Sequence, residues 1–281
     1  MSSTAPTISL EYFPPRTEKG AQGLAAARAE LKLLKPSYVS VTFGAGGSTQ
    51  DGTYATIKSI LEEDGVDAAP HISCISSSRR ELADMLEAYR DLGVKRLVAL
   101  RGDVPSGYGT MDAAELRYAN ELVAFIREQT GDHFHIEVAA YPETHPQARS
   151  AQDDLDNFKR KVDAGANSAI TQYFFNPDAY YAFMDSCSKL GLDIPVIPGI
   201  MPITNYKQLA RFSDTCGAEI PRWIRKRLEG YGDDLASIRE FGFDVVLGLC
   251  EKLLDGGAPG LHFYSMNRTE PTRALWKALD L

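Results

Sequence analysis

The chain has few cysteines, little tryptophan, a deficit of basic charge and no long apolar run. Four cysteines stand in 281 residues, at Cys74, Cys187, Cys216 and Cys250. None forms a C-x-x-C pair or joins histidines at zinc-ligand spacing, so neither a disulfide framework nor a metal site is expected. Scattered thiols in a chain this long read as small buried hydrophobes in a reducing compartment. Lys and Arg number 30 against 38 Asp and Glu, a net charge of −8. That balance excludes a general nucleic-acid binder, which needs clustered positive charge for its phosphate contacts. No stretch approaches the ~18 apolar residues of a membrane helix. The segment Met1–Ser9 has neither a basic nor an apolar signal region. A cytoplasmic protein with no membrane partner is therefore expected.

What is present has the composition of a folded protein: 44% apolar and 24% charged residues exclude disorder and coiled coil. Short β-branched and aromatic runs alternate with longer amphipathic stretches along the whole length. Strands are expected at 7–13, 37–43, 68–74, 96–100, 135–140, 168–174, 195–201 and 260–266. Most are spaced by about 30 residues, the length of a βαβ unit. The first helix spans Glu18 to Leu34, with Leu24, Ala27, Leu31 and Leu34 on one stripe and Pro36 as its stop. Another starts at Ser150-Ala151-Gln152-Asp153 and turns Leu155, Phe158 and Val162 inward before ending at Gly165. The long interval before the last strand holds extra helical sequence, 203–216 and 219–256. Eight strands with intervening helices predict an α/β fold, a (β/α)8 TIM barrel. No linker divides the chain, so a single domain over residues 1–281 is expected, with extra helices before the eighth strand.

Barrel chemistry sits at the C-terminal strand ends and the loops that follow them. Those positions carry Glu11, Thr42, His71, Arg101, Asp103, Tyr141, Glu143, Gln172 and Arg268, many polar groups on otherwise apolar strands. Glu11 is enclosed by aromatics and prolines and fits either a buried salt bridge to Arg16 or a general acid, since apolar surroundings favour a neutral carboxyl. Arg101 and Asp103 either pair on the rim or flank a glycine that lets a flat ligand approach. Gly44-Ala45-Gly46-Gly47-Ser48-Thr49 lacks the third glycine of a dinucleotide loop and fits a cover over a barrel-mouth ligand. Asp154, Asn157 and Lys161 share a helix face apart from the apolar one, which by pattern alone reads as solvated. His71 and His145 fit ligand hydrogen bonding or a satisfied core role.

Taken together, Leu10-Glu11-Tyr12-Phe13-Pro14-Pro15-Arg16-Thr17, Leu100-Arg101-Gly102-Asp103, Tyr141-Pro142-Glu143-Thr144-His145-Pro146, Thr171-Gln172-Tyr173-Phe174-Phe175 and His262-Phe263-Tyr264-Ser265-Met266-Asn267-Arg268 closely resemble the methylenetetrahydrofolate reductase family. The matches run in order from residue 8 to residue 268. The resemblance implies noncovalent FAD in a (β/α)8 barrel. NADH or NADPH would reduce the flavin, which in ping-pong order would convert 5,10-methylenetetrahydrofolate to 5-methyltetrahydrofolate for methionine synthesis. It implies Glu11 as general acid and Asp103 as a catalytic acidic residue near flavin and pterin. Thr42, His71, Arg101, Gly102, Asp103, Tyr118, Ala119, Tyr141 and His145 would contact the flavin. Asp154, Asn157, Arg160 and Lys161 would hold its ribose, pyrophosphate and adenine end. Glu11, Asp103, Gln172, Gln208, Phe212 and Arg268 would line the substrate side. A homo-oligomer, and no inhibition by S-adenosylmethionine, are the remaining expectations.

Overall fold

The computed structural model describes residues 5–43, 47–75, 77–102 and 115–281, and only the backbone of 47–50. Strand segments β1 (Thr7–Tyr12), β2 (Tyr38–Val41), β3 (Ala68–Ser73), β4 (Arg96–Leu100), β5 (His135–Ala140), β6 (Ser168–Thr171), β7 (Val196–Ile197), β8 (Gly199–Ile200) and β9 (Gly260–Tyr264) form one sheet. Their order is β7-β6-β5-β4-β3-β2-β1-β9-β8, with parallel pairing throughout. Only Pro198 separates β7 from β8, so the two occupy one barrel position. The first half pairs with β6 through Ala169↔Val196, and the second pairs with β9 through Gly199↔His262. Proline has no N–H to give the ladder, but its carbonyl accepts from His262 N at 2.9 Å. The sheet thus returns on itself as the expected (β/α)8 barrel.

Helices α1 (Glu18–Leu31), α2 (Gly47–Ser59), α3 (Arg79–Asp91), α4 (Ala119–Thr130), α5 (Ala151–Asp163) and α6 (Pro177–Lys189) follow the first six strands. Then α7 (Tyr206–Cys216), α8 (Arg222–Tyr231) and α9 (Leu235–Asp255) fill the interval before β9, and α10 (Glu270–Ala278) closes the order. The α1 stripe continues as a 3-10 turn over Lys32–Leu34 and stops with Lys35 left-handed at φ 53°, just before Pro36. Ser150 caps α5 as its sequence predicts, its hydroxyl accepting from Asp153 N at 3.1 Å. The helical stretch expected over 219–256 is two helices. Gly232, at φ 57°, ends α8, and the Asp234 carboxylate accepts from Ala236 N and Ser237 N to start α9.

Strand alternation sorts the side chains. Ile8, Leu10, Val39, Val41, Ile72, Leu97, Ile136 and Val138 face outward and are buried in one continuous apolar layer beneath the helices. The opposite parity carries Ser9, Tyr38, His71, Glu137, Ser168 and His262 into the barrel, where all are buried. A small apolar cluster of Tyr38, Ala69, Val98 and Ile170 fills part of the same interior. The closing strand leaves no spare room. Gly199 N donates to Thr171 Oγ1 at 2.8 Å, and a Cβ on this glycine would overlap the Thr171 carbonyl oxygen and the Tyr264 ring. Gly199→Ala is expected to cost about 1–3 kcal/mol by overpacking. Urea denaturation checks this, and an unchanged midpoint would mean that the closing strand has slack.

Candidate active site

Glu11 lies one residue from the end of β1 and pairs across the sheet with Ser40 and Tyr264. Its side chain is 18% exposed, and its Oε2 lies 3.3 Å from His71 Nε2 and 3.6 Å from His262 Nε2. Its ionisable neighbours are thus two histidines rather than Arg16. Both Nε2 atoms are buried, and neither makes a well-formed hydrogen bond to a described residue. Burial lowers the His71 pKa, against a smaller opposing pull from Glu11, so the ring stays neutral. On its other side His262 meets Ser9 Oγ through Nδ1 at 2.8 Å. Burial holds the Tyr264 phenol far above its ordinary range, and its hydroxyl donates to the Thr171 carbonyl at 2.8 Å.

The loop after β9 fixes the end of β1. Ser265 Oγ donates to the Glu11 carbonyl at 2.6 Å. Asn267 brackets Phe13, its Oδ1 accepting from Phe13 N at 3.0 Å and its Nδ2 donating to Phe13 O at 2.9 Å. Met266 and Asn267 take left-handed φ of 53° and 54° to make that grip, a conformation asparagine tolerates better than most residues.

Beside the mouth opens a cavity of about 840 Å³. Arg101 and Gly102 border it after β4, Tyr118 and Ala119 at the start of α4, and Tyr141 and His145 after β5. Asp154, Asn157, Arg160 and Lys161 border it from α5. The polar face of α5 therefore lines a cavity, which corrects the solvated reading. Lys161 Nζ donates to the Ala139 carbonyl at 2.5 Å, and burial draws its pKa down to about 8, with Asp154 opposing. Asp154 Oδ2 accepts from His145 N at 2.8 Å, and Arg160 donates to Asn157 Oδ1 at 2.6 Å. The Tyr141 and His145 rings meet edge to face at 4.5 Å. Gly102 sits at φ 87°, and a Cβ there would overlap Ser73 Oγ, so the backbone can approach a ligand only as glycine.

The remaining expected residues divide. Arg101 donates to Gln147 Oε1, while Asp103 lies outside the described residues, as do Gly44–Gly46. Thr42 and His71 do not line the 840 Å³ cavity. Thr42 follows β2, with its N–H on the Tyr12 carbonyl at 2.9 Å, and His71 belongs to the Glu11 cluster. Gln172 follows β6, and its Oε1 accepts from Tyr173 N at 3.0 Å. Gln208 and Phe212 lie one turn apart on α7, whose start Asn205 caps. Tyr173 Oη meets Ser213 Oγ at 3.0 Å, and Glu143 Oε2 accepts from Glu219 N at 2.8 Å, which ties both ends of that region to the mouth. Burial raises the Glu143 pKa. Arg268 borders a different cavity, of about 590 Å³, between α9, α10 and residues 202–204. Sequence reasoning missed Ser9, His262 and Asn267 as site residues. The available signal was the parity of β1 and β9, which points Ser9 and His262 inward.

The sequence profile of the methylenetetrahydrofolate reductase family matches residues 1–280. The 5,10-methylenetetrahydrofolate reductase of Salmonella typhimurium is 43% identical over 274 residues, covering 98% of this chain and 90% of that protein. Its Escherichia coli counterpart is 42% identical over the same lengths. In fold, the chain resembles a Clostridium thermocellum protein described as binding two copies of 5-methyl-5,6,7,8-tetrahydrofolic acid. That likeness has a TM-score of 0.68 at 16% identity and covers 98% of this chain and 94% of the other. Dihydropteroate synthase from Thermus thermophilus aligns with a TM-score of 0.51 at 13% identity, with the same coverage. The chain belongs to the methylenetetrahydrofolate reductase family.

Proposed function

We propose that the chain reduces 5,10-methylenetetrahydrofolate to 5-methyltetrahydrofolate with NADH or NADPH, using noncovalent FAD, and so supplies a methyl group for methionine synthesis. The observation that carries the reading is convergence. Residues from the β4 and β5 loops, the start of α4 and one face of α5 border a single cavity at the C-terminal end of the barrel strands, the end at which Glu11 lies. About 840 Å³ is ample for an elongated dinucleotide cofactor. The cation set suits a diphosphate, with Lys161 and Arg160 on the wall and Arg101 at its edge. Gly102 gives a flat ring system close access to backbone, and the Tyr141 and His145 rings offer aromatic surface. FAD, when bound, supplies hydride relay between nicotinamide and folate, which take turns at the mouth in ping-pong order.

The chain's own groups then handle binding and the proton. Glu11 Oε2 would deliver a proton to the folate, opening its five-membered ring to the iminium that accepts hydride. Neutral His71 adds no competing positive charge beside it. Gln172, Gln208 and Phe212 would orient the pterin and the nicotinamide in turn. Arg268, set in its own cavity, would serve the outer part of the substrate.

An anaerobic visible spectrum of purified protein is expected to be yellow, to bleach on NADH and to recover on methylenetetrahydrofolate. Bleaching without recovery would sink the folate assignment, and a colourless active protein would favour direct hydride transfer. Glu11→Gln is expected to bleach normally but to recover about 10²–10⁴-fold more slowly, as stopped-flow reoxidation would show. Equal loss in both half-reactions would remove Glu11 from the acid role. The Lys161 ammonium loses its proton through about pH 8. The positive charge opposing the diphosphate therefore fades as pH rises, and flavin affinity should fall about tenfold between pH 7 and 9. Fluorescence titration of the flavin would show a flat profile, at weaker affinity, in Lys161→Met.

A further inference from the structure

At the end of the barrel opposite the cofactor cavity, one guanidinium ties three chain turns together. Arg127 stands in the last turn of α4, and its side chain is 17% exposed. Its Nε donates to the Gly165 carbonyl at 3.0 Å, and Nη2 donates to the same oxygen at 2.8 Å. Nη2 also donates to Asn167 Oδ1 at 2.5 Å. Nη1 donates to the Gly131 and Phe134 carbonyls at 3.1 and 2.9 Å. Together these bonds use all five N–H donors of an arginine. Its ion-pair contact among the described residues, Asp132 at 3.9 Å, is fully exposed, so neutral oxygens hold this side chain. An arginine that merely capped α4 would need only Gly131; the other acceptors belong to the turns before β5 and β6.

Those acceptors lead to the cavity wall in one step. Gly165 closes the turn after α5 at φ 110°, and a Cβ there would sit 3.1 Å from Arg127 Cγ and Nε. Around it Ala164 N, Ala166 N and Gly165 N donate to the carbonyls of Arg160, Lys161 and Val162 at 3.1, 3.2 and 2.9 Å. Arg160 and Lys161 are the cations that α5 presents to the 840 Å³ cavity. On the other side of the turn, Asn167 Oδ1 accepts from Ile136 N at 2.8 Å, and Asn167 N donates to the Ile136 carbonyl at 2.8 Å, which locks the turn to β5. Leu155, Phe158 and Val162 hold α5 against the barrel. Apolar contact is non-directional and leaves the axial position of the helix free. Directional bonds set that position. Near the mouth they run from Asp154 to the His145 amide and from Lys161 to the Ala139 carbonyl; at the base they converge on Arg127.

We propose that Arg127 is a positioning residue for the flavin: its grip on the Gly165 carbonyl fixes the axial position of α5 and so the placement of Arg160 and Lys161 at the diphosphate. The proposal rests on the cavity being the FAD site described above. Arg127 does not border that cavity and acts only through α5. Without it the last turn of α5 is free to shift, and the two cations move away from the phosphates they would meet. Glu11, set on β1, does not depend on that turn. Lysine is a partial substitute, since an ammonium offers three donors from one point and no planar fork.

Arg127→Met removes every donor, and Gly165→Ala forces the same contact apart from the other side. Titration with FAD, followed by flavin fluorescence, should show about tenfold weaker binding in both, the worth of one charge-assisted hydrogen bond. Arg127→Lys should fall between them and the unaltered protein. At saturating FAD, the rates of bleaching by NADH and of reoxidation by folate should stay within about twofold. Arg28→Met is the control for plain destabilisation. It cuts the 2.6 Å contact to Asp64 at α1, far from α5 in the sheet order, so it should lower the urea midpoint and leave FAD affinity within about twofold. Unchanged FAD affinity in folded Arg127→Met and Gly165→Ala, or an equal loss in Arg28→Met, would overturn the proposal. If Arg127→Met fails to fold, Arg127→Lys and Gly165→Ala decide it. An unaltered protein that binds no FAD brings down the cofactor reading itself, before any variant is made, and takes this proposal with it.

Discussion

A carboxylate in the middle of the barrel, Glu137, is the constraint on which much of the interior depends. Charge at that depth is tolerated only when paired and hydrogen-bonded. Arg96 supplies the countercharge, and Tyr38 satisfies the second oxygen. Deleting either charge alone would strand the other at a cost of about 3–5 kcal/mol. Barrels of this architecture usually fill the interior with layered branched aliphatics. Here Ser9, Tyr38, His71, Ser168 and His262 occupy inward positions instead, all buried. Polar filling limits how each residue can hydrogen-bond as well as taking up space.

The strand alternation that builds this interior also frees the outer face to do a separate job. Outward residues form a single apolar layer with the helices, and that layer fixes where each strand ends. Loops leaving those ends are then pinned by a few polar contacts. Asn267 on Phe13, Glu143 on Glu219 and Asp154 on His145 each tie one loop to another element. The mouth is thereby assembled from segments far apart in sequence while its shape rests on the sheath beneath. Glu11 and the large cavity draw on different strands: Glu11 on β1, the cavity on β4, β5 and α5.

Much of this was legible in the sequence where the signal was local. The strands β4 and β5 have the expected ends, and Ser150 caps α5 as its spacing implies. Periodicity failed where the answer lay in what faces a residue. The α5 pattern correctly separates an apolar from a polar face, but it cannot say that the polar face meets a cavity wall. Glu11 looked as though it might pair with Arg16, five residues on. The structure pairs it with His71 and His262, brought close by neighbouring strands. Arg268 borders a cavity with residues of α9 and α10, a placement its sequence neighbours do not indicate. The Tyr38–Glu137 hydrogen bond was least visible of all, because its partners stand on β2 and β5, which are not neighbours in the sheet and meet only across the barrel interior.

Net charge gave a partial answer for a related reason. A chain at −8 repels polyanions on average, yet the cavity wall gathers Arg101, Arg149, Arg160 and Lys161. Among the described residues, the two carboxylates that line it are already engaged: Asp153 with Arg149 at 2.6 Å, and Asp154 with the His145 amide at 2.8 Å. Solvent screens surface charges beyond about 8–10 Å, so distant acidic side chains barely oppose this group. Burial has the reverse effect on Lys161. It weakens the ammonium enough to bring its pKa to about 8 while leaving that charge less screened than one on the surface. Local geometry therefore outweighs the chain total: an acidic chain can still gather inside one walled cavity the positive charge that a diphosphate would need.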